Sequence, residues 1–288
     1  MCEHDDFDNM QKQQELSRRQ FGALGFGAGI VAMLPAVANA AEVKASEVTI
    51  KTPDGTCDAH FVHPVKGASA AVLVWPDIFG LRDAFRDMGK RLAESGYAVL
   101  TVNPFYRTQK APTSAPHASF QDPATRDALM KLAGALNPTT HVTDAKAFTA
   151  WLDSQSAVDK KRKMGTTGYC MGGPMVFRTA ATVPSRVGAG ATFHGGGLTT
   201  NDANSPHLLI PQMKASFVIA IAANDDATQP ESKNILRKAF DDAKLKARIE
   251  VFEGAQHGWC PPDSQVYNQV QAEKAWSELL ELFKTSLA

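Results

Sequence analysis

The sequence lacks several things, and each absence removes a class of function. No charge sign prevails: 30 basic and 30 acidic residues cancel over 288 positions. A nucleic-acid partner needs a basic face, and the one basic run, Lys160-Lys161-Arg162-Lys163, reads as a solvated loop before a strand. There is no HExxH, no CxxC and no carboxylate cluster to hold a metal. His60 and His63 stand three apart on a predicted strand, so they face opposite sides. No G-x-G-x-x-G or P-loop offers a phosphate cradle. The reading therefore requires no metal, no cofactor and no nucleic acid. There is no internal repeat. Long apolar runs are also missing. The one of note, Ala23 to Val37, is glycine-rich and shorter than a membrane span.

That run sits within a recognisable N-terminal layout. Polar residues 1–16 lead to Ser17-Arg18-Arg19-Gln20-Phe21-Gly22, the apolar run follows, and Ala38-Asn39-Ala40 closes it as an A-x-A cleavage site. This is the order of a twin-arginine export signal, with a membrane anchor as the alternative. Residues 1–40 are expected to be cleaved. Residues 41–288 then form a single domain, periplasmic or secreted, with no stable membrane association. Three of the four cysteines, Cys57, Cys170 and Cys260, lie in that domain. In an oxidising compartment a Cys57–Cys260 bridge is the only pairing that leaves Cys170 free, and three free thiols is the other arrangement.

What is present is alternation. Val48 to Ile50 and Ala59 to His63 read as a hairpin around Asp54-Gly55. Strands are predicted at Ala70 to Trp75, Tyr97 to Val102, 164–168, Val187 to Phe193, Ser216 to Ala222 and Ala247 to Phe252. Helices are predicted over 82–95, 124–135, 142–154, 171–182 and 269–285, with Phe85, Met88 and Leu92 marking the first one's buried face. A long proline-rich loop, Asn103 to Pro123, intervenes. The pattern predicts a doubly wound, mostly parallel sheet with helices on both faces. Ligands then bind beyond the strands' C-terminal ends.

Gly168-Tyr169-Cys170-Met171-Gly172-Gly173 falls between a predicted strand and helix. A G-x-C-x-G-G turn there is a nucleophile elbow with cysteine in serine's place. Glycines flank the nucleophile because a sharp strand-to-helix turn leaves no room for side chains. The thiolate is the reactive form, and the Met171 N–H is available to stabilise an oxyanion. Downstream, Ala223-Asn224-Asp225-Asp226 ends a strand and supplies a carboxylate to orient an imidazole. His257, on the loop Gly254-Ala255-Gln256-His257-Gly258-Trp259, fits the general base. Nucleophile, acid and histidine follow in the order an α/β-hydrolase uses, so the elbow and this order predict that the sheet is an α/β-hydrolase fold. His194, ending the strand after the nucleophile helix, is expected to line the pocket, as are Tyr169 and Trp259 beside the nucleophile and the histidine.

With these residues in place, the chain resembles the dienelactone hydrolase family from about Val48 to Leu282. The Gly-Tyr-Cys-Met-Gly-Gly turn and the Gly-Ala-Gln-His-Gly loop match its motifs. Spacing to Pro230 matches a G-x-x-D-x-x-x-P signature, with Ala223 for the glycine, and so implies Asp226 as the acid. At Trp75-Pro76-Asp77-Ile78-Phe79-Gly80 the resemblance implies that Asp77, where the family has glutamate, partners the thiol, and that the Ile78 N–H completes the oxyanion hole. It implies that Arg107 grips a substrate carboxylate; the family's second arginine, after the histidine, is missing. The implied activity is opening of lactones or small esters through a thioester acyl-enzyme, without cofactor, on a small-molecule substrate. Thioesterase or general esterase activity on the same fold, and a non-catalytic ligand-binding relative, are the alternatives.

Overall fold

The computed structural model describes residues 34–288, so the twin-arginine motif and most of the apolar run lie outside the described residues. The domain opens with β1 (Val43–Thr52) and β2 (Gly55–Pro64), a hairpin in which Thr52 faces Gly55 across the turn. There follow β3 (Ala71–Trp75), α1 (Asp83–Glu94), β4 (Ala98–Val102), α2 (Pro123–Ala133), α3 (Pro138–Ser154) and β5 (Met164–Tyr169). Then come α4 (Gly172–Thr182), β6 (Val187–Phe193), β7 (Ser216–Ala222), α5 (Ala223–Thr228), α6 (Ser232–Asp242), β8 (Ala247–Phe252) and α7 (Gln269–Ser286). The strands form one sheet in the order β1-β2-β4-β3-β5-β6-β7-β8. The first two pairings beyond the edge are antiparallel and all others are parallel.

The central strands β3, β4 and β5 are buried along their whole length because helices cover both faces. Period two sorts them. Leu73 and Trp75 of β3 join one apolar layer with Phe148 and Leu152 of α3, Val176 and Phe177 of α4 and Phe240 of α6. Val72 and Val74 join the other, with Phe85, Met88 and Leu92 of α1 and Leu279 and Phe283 of α7. Local signals start the helices where they begin. Asn137 caps α3 by accepting from Thr139 and Thr140 N–H, Thr140 returns a bond to the Asn137 N–H, and Pro138 takes the first helical position.

The sheet's order places the site. After β3 the chain winds outward to β4, then returns to lay β5 on the other side of β3. The loops leaving β3 and β5 therefore diverge, opening a crevice at their C-terminal ends where this fold class binds ligands. Cys57 packs in the first layer and Cys260 in the second, on opposite sides of the sheet, and both are free and buried. The sheet between them rules out their bridge.

Candidate active site

Cys170 follows the last residue of β5 and precedes α4, and its backbone adopts φ 51°, in the left-handed region that a side-chain-bearing residue rarely enters. Its neighbours enforce the turn. A Cβ on Gly168 would lie 2.4 Å from the Gly172 carbonyl oxygen, and one on Gly172 would lie 2.4 Å from the Trp75 carbonyl oxygen. So the elbow folds back on itself and the β3–α1 loop crosses directly over it. That crossing lays the Trp75 and Pro76 carbonyls against Gly172, next to Met171, and among the described residues neither the Ile78 nor the Met171 backbone N–H donates to a loop or side-chain acceptor.

His257 reaches this point from the loop after β8. Its Nδ1 is 2.7 Å from Asp225 Oδ2, and its backbone N–H donates to Asn224 Oδ1 at 2.8 Å. The Cys170 sulfur lies near enough to raise the imidazole's pKa. Burial pulls the ring's pKa down, but the hydrogen bonds and charges of Asp225 and Cys170 outweigh it and push it up to about 10. Sulfur, imidazole and carboxylate thus come from the turn after β5, the loop after β8 and the short helix α5, a set able to move a proton to and from a reacting oxygen.

The acid is the first correction to the sequence reading. Asp226 does not face His257. Both its oxygens bind Lys233 Nζ, at 2.6 and 2.7 Å, while Asp225 takes the histidine. The two aspartates are consecutive in α5, and successive helical side chains point about 100° apart, so only one can face the imidazole.

Asp77 is the second. Its carboxylate is held by both terminal nitrogens of Arg82, at 2.7 and 3.0 Å, and accepts the Phe79 N–H, and so is turned toward the start of α1 rather than toward Cys170. Arg82, which sequence reasoning missed, also binds Asp263 through Nε and Nη2, at 2.6 and 2.9 Å. It therefore ties the β3–α1 loop to the segment after His257. An arginine at a helix start carries no motif that would have exposed this.

Arg107 is the third. Its guanidinium binds Asp54 and Asp144, both within 2.6–3.0 Å, and stacks over Tyr106, so the fork is already filled. The remaining three expected pocket residues lie beneath the site. Tyr169 stacks on Phe193 in the second layer, and Trp259 is fully buried against Phe252. Strand alternation turns Tyr169 away from the residue after it. His194 is 1% exposed, its ring centroid 5.0 Å from those of both His257 and Trp259. Burial, then repulsion from His257, holds it well below the usual histidine pKa, so it supports the His257 ring as a neutral group.

The profile of the dienelactone hydrolase family matches residues 57–287. A Synechocystis protein carrying a provisional carboxymethylenebutenolidase name is 24% identical over 253 residues, 85% of this chain and 98% of its own. A similarly named protein of Escherichia coli K12 is 27% identical over 221 residues, 76% of this chain and 78% of its own. Among solved structures, a provisionally described dienelactone hydrolase from Klebsiella pneumoniae superposes with a TM-score of 0.73 at 20% identity, covering 84% of this chain and 99% of its own. A metagenomic dienelactone hydrolase-like promiscuous phosphotriesterase gives 0.70 at 21% identity, covering 85% and 99%. These structural likenesses show the α/β-hydrolase fold, and with the profile spanning most of the domain, the chain belongs to the dienelactone hydrolase family.

Proposed function

We propose that this carboxylic ester hydrolase opens lactones or small esters through a thioester at Cys170, with His257 as the proton carrier and Asp225 as its orienting acid. The single observation that carries the reading is the 2.7 Å pairing of Asp225 with His257, an imidazole whose pKa Cys170 also raises. With Nδ1 held by Asp225, the ring's Nε2 is the nitrogen left to exchange protons. Cys170 passes its thiol proton to His257 Nε2 as its sulfur adds to the carbonyl carbon, and the Ile78 and Met171 N–H groups receive the oxyanion. The C–O bond then breaks, and the leaving oxygen takes the imidazolium proton. Water, losing a proton to His257, adds to the thioester carbon. The C–S bond breaks, the sulfur recovers the proton from His257, and the acid departs.

Replacing Cys170 by alanine removes the attacking atom, and turnover should fall to background. Hydrolysis near the parent rate by Cys170→Ala would sink the proposal. One observation favours a second reading of the substrate. Arg107, saturated by Asp54 and Asp144, offers no open fork for a substrate carboxylate. Neutral esters or thioesters then compete with acidic lactones, and a panel of lactones, thioesters and aryl esters ranks them. Residues 1–40 serve, in this proposal, as a twin-arginine export signal, which places the enzyme in the periplasm or outside the cell. Fractionation of cells expressing the Arg18→Lys/Arg19→Lys chain checks it. Export that is unchanged by that pair contradicts it.

A further inference from the structure

His257 is gripped at two points by consecutive residues of α5. Asp225 takes the ring at Nδ1, and Asn224 takes the backbone, its Oδ1 accepting the His257 N–H at 2.8 Å. This second grip spans 33 residues of chain. An asparagine near a helix start ordinarily spends its oxygen on local N–H groups. Here α5 has no side-chain cap, and the Asn224 oxygen crosses to the histidine loop instead.

That loop has few other ties. Its first residues are held: the Ala223 N–H donates to the Ala255 carbonyl at 3.0 Å, and Gln271 Nε2 donates to the Glu253 carbonyl at 2.8 Å. Beyond Ala255 the holding stops. Among the described residues, the bond to Asn224 is the only hydrogen bond made by the backbone of residues 256–258. Gly254 and Gly258, at φ 74° and 98°, bracket the stretch and add backbone freedom. An imidazole on such a loop is placed no better than the peptide that carries it, and a misplacement of about 1 Å can cost about 10²-fold in rate.

We propose that Asn224 is a positioning residue for the hydrolysis at Cys170, fixing the His257 backbone so that the ring meets both Asp225 and the nucleophile. The proposal rests on the Cys170–His257–Asp225 reading of the site, and Asn224 acts through the histidine. The titratable groups facing the ring come from three elements. Asp225 on α5 and Cys170 at the elbow raise its pKa, and His194, after β6, stays neutral beside it. Without Asn224 the ring's distance to Asp225 is no longer fixed while its burial remains, so its titration falls.

Two full-chain variants test this. Asn224→Leu keeps the size and removes the acceptor. Asn224→Asp keeps an acceptor oxygen in place, and its added charge can only raise the histidine. Kinetics on an aryl ester are read beside thermal unfolding and an NMR titration of the His257 ring, its signal assigned by its loss in His257→Gln. In Asn224→Leu, kcat should fall about tenfold with KM unchanged, and the His257 midpoint should drop below the parent's. Asn224 is exposed, so Tm should stay close to the parent's. Asn224→Asp should recover kcat and show a midpoint at or above the parent's. Parent kcat or parent midpoint in Asn224→Leu overturns the proposal, as does failure of Asn224→Asp to recover either. Cys170→Ala is assayed alongside. If it still turns over ester, the underlying reading falls; if it is inactive while Asn224→Leu matches the parent, only the role of Asn224 falls.

Discussion

Asp225 Oδ2 lies 2.7 Å from His257 Nδ1, while the adjacent carboxylate of Asp226 is spent on Lys233. Adjacent residues of one type thus carry separate tasks, and substitution separates them. In Asp225→Asn the amide keeps the shape but no longer stabilises an imidazolium. We expect kcat for an aryl ester to fall by about 10³–10⁴-fold, as triads do when the acid is neutralised. Asp226→Asn breaks a part-exposed ion pair with Lys233, for which about 0–1 kcal/mol of stability is expected and little change in rate. Equal losses in the two variants would contradict the assignment.

The same contact sets the pH dependence. Burial works against the charged ring, but Asp225 and Cys170 raise His257 to about 10. The imidazolium is the acid that protonates the leaving oxygen, so acylation should persist up to that pH and decline above it. Stability follows the same sign. A raised folded pKa contributes stability that is fully present below the ordinary 6.5 and lost as pH rises through about 10. In Asp225→Asn the raising contacts are halved while burial remains, so the alkaline limb of kcat/KM should move down toward neutrality. A limb that stays in place after this substitution removes Asp225 from the titration.

How far the site could be read beforehand depends on whether each constraint was local. The elbow was legible because Gly168 and Gly172 are demanded by backbone atoms a few residues away. The strands and helices were legible because both apolar layers impose their periods on the sequence. Choosing Asp226 over Asp225 failed because motif spacing does not fix which of two consecutive residues in the six-residue helix Ala223–Thr228 meets a histidine 32 residues beyond Asp225. Arg107 was misread because Asp54 and Asp144, its partners, are separated from it by 53 and 37 residues. Tyr169 was the avoidable error, since strand alternation already turned it away from Cys170.

Arg82 links the loop bearing Ile78 to the segment bearing Asp263, through two-pronged bonds to both carboxylates. Its guanidinium also stacks on Phe79 and Phe85. Arg82→Met leaves the buried Asp77 carboxylate without its cation, and breaking a buried pair from one side costs about 3–5 kcal/mol. Urea unfolding should show a loss of that order. Asp263→Asn keeps the Asp77 pair and should cost about 1 kcal/mol, yet it frees the His257 loop from the oxyanion loop. We therefore expect Asp263→Asn to lower kcat more than stability. A variant with parent kcat would reduce the clamp to a structural tie.

Gly172 tests the crossing of the β3–α1 loop over the elbow. A methyl there meets the Trp75 carbonyl oxygen at 2.4 Å and the Pro76 carbonyl oxygen at 2.9 Å, both backbone atoms that cannot rotate away. Gly172→Ala must push apart the two segments that carry the Met171 and Ile78 N–H groups. Overpacking of this kind costs about 1–3 kcal/mol, and losing one oxyanion donor costs about 10²–10³ in kcat. At Gly196 an added methyl meets nothing within 4 Å, although the residue's N–H also touches the elbow through Cys170. Gly196→Ala should then leave stability within about 0.5 kcal/mol of the parent and kcat close to it. If Gly172→Ala instead turns over ester at the parent rate, the Ile78 and Met171 donors do not act together, and the oxyanion must be held by other groups.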